Sequence, residues 1–137
     1  MKRKILVNAA IVLASALLVF IGFSFIGRQP FKNMKSDEIQ SVSIRLLPPN
    51  ETMELSREEI EELVILLQQV KIYNPNWFHL TSGGQSNIMT INYQDGSVKE
   101  VNQFGSTLII DGQGYRAEYE PNEALNQFAN KLFNTGF

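Results

Sequence analysis

From Ile5 to Ile26 the chain runs through 22 positions, of which 18 are apolar and none is charged. At a rise of about 1.5 Å per residue such a run makes a helix about 33 Å long, enough to cross a bilayer core of about 30 Å. The chain therefore divides in two before any other feature is considered, and its averages (44% hydrophobic, formal charge −2) describe neither part. Residues 28–137 alone carry 9 basic and 14 acidic side chains, a net of −5, with 41 hydrophobic residues in 110, the make-up of an ordinary soluble domain.

Lys2, Arg3 and Lys4 precede the apolar run. A basic start suits both a cleaved secretory signal and an uncleaved signal anchor. Signal peptides usually hold about 7–15 apolar residues before a small-x-small site. This run is longer, Ala14-Ser15-Ala16 lies deep inside it, and Gly22-Phe23-Ser24 is a poor cleavage site. The length favours an anchor, with secretion after cleavage as the alternative. Lys2, Arg3 and Lys4 are packed beside the membrane, whereas Arg28, Lys32 and Lys35 are spread along the other flank. The positive-inside bias then places the N-terminus in the cytoplasm and the C-terminal domain outside. The expected division is a cytoplasmic n-region over 1–4, a transmembrane signal anchor over 5–26, a polar juxtamembrane linker over 27–38 and an extracytoplasmic domain over 39–137. The linker's basic residues either flank the span or touch anionic headgroups.

Within the domain, Val42, Ile44 and Leu46 alternate with polar residues as in a half-buried strand, ended by Leu47-Pro48-Pro49-Asn50. Ser56-Arg57-Glu58-Glu59 has the form of a capping box, and Ile60, Leu63, Val64, Leu67 and Val70 follow at helical spacing, so a helix is expected over about 57–71. Met89, Ile91 and Tyr93 alternate up to the turn Gln94-Asp95-Gly96-Ser97, Val98 to Phe104 return, Thr107 to Asp111 form a third strand, and Tyr115, Ala117 and Tyr119 alternate on a fourth. From Pro121 onward Leu125, Phe128, Ala129 and Leu132 share a helical face. The expectation is an α+β domain in the order strand, helix, four strands, helix, with an antiparallel β-meander and both helices packed on one face.

The chain has no Cys and a single His, His79. That excludes disulfides, thiolate metal sites, a Cys nucleophile and a lipid-modified Cys. The acidic balance argues against nucleic acid as a partner. Gly112-Gln113-Gly114-Tyr115-Arg116-Ala117 matches a dinucleotide-binding pattern, but an alternating strand follows where a helix is required, so the glycines read as a hairpin turn. Glu118 and Glu120 would share a strand face, and the acids Glu51, Glu54, Glu58, Glu59, Glu61 and Glu62 read as a solvated helix exterior. No catalytic residue, cofactor or metal is expected. The candidate recognition surface is the aromatic loop with Tyr73, Trp77, Phe78 and His79, which holds the only Trp and the only His. Trp77 and Phe78 equally suit a plug at the end of the core.

The Ser43 to Pro49 strand, the Glu-rich helix after it, the hairpin Ile91-Asn92-Tyr93-Gln94-Asp95-Gly96 and the run Leu108 to Tyr115 ahead of a terminal helix carry a resemblance over about residues 40–133. In these features the domain resembles the small, largely uncharacterised extracytoplasmic domains of Gram-positive bacterial lipoproteins (YhfM-like) and single-span proteins. The chain departs from the lipoprotein members by lacking the lipobox Cys, and the resemblance supplies no catalytic residue. The expected role is a membrane-anchored extracytoplasmic binding or accessory module, not an enzyme, whose partners are the membrane and an unknown envelope protein or ligand. The alternatives are an immunity or inhibitor protein against a secreted toxin, with its acidic helix masking a basic surface, and a small acid-dependent envelope hydrolase.

Overall fold

The computed structural model describes residues 2–24, 26–75 and 84–134. The uncharged run forms helix α1, Lys2–Ser24, whose most apolar stretch is not buried inside the molecule. It is long and apolar enough to cross a membrane or to act as a signal sequence.

The remainder is α+β, as its periodicities predict. Strands β1 (Ile39–Leu47) and β2 (Glu51–Glu54), helix α2 (Arg57–Gln68), strands β3 (Ile72–Pro75), β4 (Ser86–Tyr93), β5 (Val98–Phe104), β6 (Thr107–Ile110) and β7 (Gln113–Ala117), and helix α3 (Tyr119–Leu132) follow in that order. The strands form one antiparallel sheet ordered β2-β1-β4-β5-β6-β7-β3. The β4 to β7 meander is local, and β1 joins it along β4. β2 and β3 are two strands beyond the five that alternation predicts. Each has four residues, too few to display a period of two, and each occupies an edge, where short strands with charge or proline are tolerated.

Register puts Ile44, Met89, Val101 and Ile110 in one cross-strand row on the covered face. The next row holds Leu46, Asn87, Gln103, Leu108 and Tyr115. Both helices lie over this face and complete a single core with Ile60, Leu63, Val64 and Leu67 from α2 and Leu125, Phe128 and Ala129 from α3. The Ser56 hydroxyl accepts from the Glu59 amide at 3.2 Å, and the Glu59 carboxylate accepts from the Ser56 amide at 2.8 Å, the expected capping box. Helix α2 stops three residues short of the predicted end, and Val70 still reaches the core from the turn that follows.

Two turns behave as their glycines require. Gly96 takes φ +89° between β4 and β5, and Asp111 and Gly112 take φ +48° and +86° between β6 and β7, the paired positive φ of a tight hairpin. The dinucleotide-like Gly112-Gln113-Gly114 is therefore a strand connection. Tyr119 is not the last residue of a strand: β7 ends at Ala117, and α3 begins at Tyr119 once Glu118 has assumed the N-cap position. Glu118 and Glu120 accordingly leave the sheet, and the strand-face carboxylate pair does not form.

Residues 27–38 are docked on the domain. The Arg28 amide donates to the Ile72 carbonyl at 2.8 Å and the Ile72 amide to the Arg28 carbonyl at 2.9 Å, extending the β3 edge by one bridge. Phe31 and Met34 are buried in the core, the Gln68 amide nitrogen donates to the Met34 carbonyl at 2.8 Å, and the Arg57 guanidinium donates to the carbonyls of Ser36 and Ile39.

Candidate functional site

Where α3 begins above the end of β5, the sheet face changes from hydrocarbon to side-chain amides. Asn87 and Gln103 are cross-strand neighbours on β4 and β5, and Asn122 enters from the first turn of α3. They are 0%, 3% and 4% exposed, so each amide must find its partners inside the protein or in whatever occupies the site. Their nitrogens do. Asn87 Nδ2 donates to the Leu125 carbonyl at 3.1 Å, while Asn122 Nδ2 and Gln103 Nε2 both donate to the Gly105 carbonyl, at 2.7 and 3.1 Å. Gly105 can serve both because it sits in the β5–β6 turn with φ +56°. The oxygens do not: Asn87 Oδ1, Gln103 Oε1 and Asn122 Oδ1 have no hydrogen-bond partner among the described residues.

Beside them opens a pocket of about 430 Å³. Gln103 and Asn122 form part of its lining, joined by Gln85, Ser106, Asn126 and Glu123. A second amide chain braces the far wall: Asn130 Nδ2 donates to Gln85 Oε1 at 2.9 Å and to Asn126 Oδ1 at 3.0 Å, and Gln85 Nε2 donates to the Pro48 carbonyl at 2.9 Å. Tyr119 also lines the pocket and is 74% exposed as a residue. Among the described residues Glu123 supplies the lining's one charge, and no Lys or Arg contributes to it. Such a surface offers hydrogen-bond acceptors to a donor-rich ligand and a flat aromatic face to an apolar ring face, with nothing to neutralise an anion.

Sequence reasoning missed this site because a hydropathy period counts Asn and Gln as surface. The usable signal was parity: Asn87 continues the inward positions Met89 and Ile91, and Gln103 continues Val101. Asn122 likewise precedes Leu125 by three residues, on the buried face of α3. Of the predicted recognition residues, Tyr73 lies on β3, where the Arg116 guanidinium sits 4.9 Å from its ring centre, and it is not part of the amide pocket's lining. Trp77, Phe78 and His79 lie outside the described residues. Among the described residues, no group of three or more acidic or His side chains is placed to hold a metal ion.

Electrostatic perturbation lies elsewhere, in the hairpin turns. The Asp111 carboxylate is held below its usual 3.8, chiefly by accepting from the Glu100 amide at 2.9 Å and also by Lys99 at 3.3 Å. Asp95 is lowered by the Ser97 hydroxyl and then the Ser97 amide. The Tyr93 hydroxyl is pushed up by burial and then by the charges of Asp111, Glu38 and Asp95. A carboxylate lowered by folding adds stability that is complete above its unfolded value and fades as pH falls through its folded one. The β5–β6 pairing around Glu100 is therefore expected to loosen below about pH 4. The Glu100 amide resonance should move with a midpoint below 3.8, and Asp111→Asn should abolish that titration.

Comparison with protein families, curated proteins and solved structures finds no match to this chain.

Proposed function

We propose that the chain is a membrane-anchored, extracytoplasmic binding module whose ligand occupies the amide pocket and is a neutral, hydroxyl-rich molecule of the saccharide class. The observation that carries the ligand class is the pair of lining residues Gln103 and Asn122, whose buried amide oxygens have no donor, in a pocket with no Lys or Arg among the described residues of its lining. A buried acceptor left unpaired costs about 1–3 kcal/mol, so a cluster of them favours a ligand or solvent that brings O–H donors. Sugars bring such donors in ordered sets and also present a C–H face suited to the exposed Tyr119 ring. The anchoring half of the reading is supported by α1 and by Lys2, Arg3 and Lys4 ahead of the apolar run.

Two experiments test the two halves. Protease treatment of intact cells should digest the C-terminal domain, and a protected domain would reverse the orientation. For the ligand, the full chain in lipid nanodiscs is titrated with cellobiose and N,N′-diacetylchitobiose, with spermidine and inorganic phosphate as comparators. A disaccharide should perturb the side-chain amides of Gln103 and Asn122, and Tyr119→Ala should weaken binding by about five-fold or more. Binding of spermidine or phosphate with neither sugar bound, or indifference to Tyr119→Ala, would overturn the saccharide assignment.

A further inference from the structure

The sheet has two very different edges. At one, β2 exposes Glu51 and Glu54, and the α2 acids Glu58, Glu61 and Glu62 follow closely in the chain. At the other lies β3, six strand spacings or about 29 Å away. The basic side chains Arg28, Lys71 and Arg116 gather here. Arg28 is pinned to Ile72 through two backbone hydrogen bonds, with its guanidinium 5.1 Å from the Tyr115 ring centre. Arg116 stacks on Tyr73 at 4.9 Å. The Lys71 stem lies so close to Gly27 that a Cβ there would be 2.5 Å from Lys71 Cε. Glu118, whose amide donates to the Lys71 carbonyl at 2.9 Å, is the acid beside them.

This edge is also where the anchor arrives. Between Ser24, the last residue of α1, and Arg28 there are three residues, a reach of about 14 Å at most. The headgroup layer of one leaflet is about 5–8 Å thick. A spanning α1 therefore holds Arg28, and the strand it is bonded to, at the headgroups. Tyr beside Arg or Lys is the composition that membrane interfaces favour, and stacked guanidinium groups present a planar donor fork matched to phosphate.

We propose that the β3 edge rests on anionic phospholipid headgroups of the leaflet from which α1 emerges, with Arg28, Lys71 and Arg116 on lipid phosphates and the acidic β2 edge directed away from the membrane. This inference rests on α1 being retained as a span. It sets the stance of the whole domain, with the sheet upright.

The test uses the full chain in nanodiscs doped with a gadolinium-chelating lipid, and reads relaxation enhancement at each backbone amide. In discs containing phosphatidylglycerol, amides of 71–73 and 114–117 should relax about five-fold faster than those of 51–54. That contrast should shrink in pure phosphatidylcholine, at high salt, and in the triple variant Arg28→Gln/Lys71→Gln/Arg116→Gln, whose amide spectrum reports in the same experiment that it is folded. Equal enhancement at the two edges, or a contrast unchanged in the folded triple variant, would overturn the proposal. A chain released from membranes by alkaline carbonate would instead remove the anchor, and this inference with it.

Discussion

Phe31→Ala is expected to lower the stability of the domain by about 3–5 kcal/mol, an effect of core size from a residue that the sequence places in a linker. The ring is 3% exposed and packs in the same cluster as Leu67 and Ile72, so truncation removes buried apolar surface and leaves a cavity. Lys32, the next residue, is exposed, and Lys32→Ala should stay within about 0.5 kcal/mol. Chemical denaturation of the full chain in micelles reads both. A chain beginning at residue 39 should fail to fold stably, because it loses Phe31, Met34, the Arg28–Ile72 bridge and the Ser36 acceptor for Arg57 together. Loss of less than about 1 kcal/mol in Phe31→Ala would return 27–38 to the status of a free connector. The consequence for function is mechanical: with the connector docked, α1 and the domain are joined by very little slack, which the stance on the membrane requires.

That docking shows where sequence reading stops. β1, α2, the β4 to β7 meander and α3 were legible because each carries enough apolar residues at one period to declare its face. Phe31 and Met34 are two apolar residues three apart in a polar stretch, too few for any period, and only the core they enter gives them meaning. β3 was hidden for a related reason: Ile72-Tyr73-Asn74-Pro75 reads as an aromatic loop, and it becomes a strand through pairing with β7, about 40 residues further on. The insertion of β1 against β4 is equally non-local, and alternation cannot specify it. The amide pocket failed to show because Asn and Gln are scored as solvent-facing whichever face their parity gives them. The aromatic loop drew attention through composition alone, and of its four residues the described structure positions Tyr73, at the basic edge.

Gln103→Met is expected to raise stability and remove ligand binding in the same step. Gln103 is 3% exposed, and its row continues through Leu46 and Leu108, so a thioether of similar length suits its surroundings. What the substitution deletes is an acceptor oxygen with no donor and a 3.1 Å bond to the Gly105 carbonyl. That carbonyl keeps the shorter bond from Asn122 Nδ2 at 2.7 Å, so no new orphan is created. Relief of an unpaired buried acceptor outweighs the lost bond, for a gain of about 1–2 kcal/mol and a melting temperature higher by about 4 °C or more. A domain that keeps two such oxygens, those of Gln103 and Asn122, on residues lining one pocket is carrying instability that a ligand's donors would offset, the usual relation between a binding site and its scaffold. Thermal melts of Gln103→Met, with and without the disaccharide that binds the parent chain, should show a higher baseline and no ligand-induced rise. A loss of more than about 1 kcal/mol would mean that the Gln103 carbonyl already has a donor inside the fold, and the pocket would then be a structural polar layer instead of a binding site.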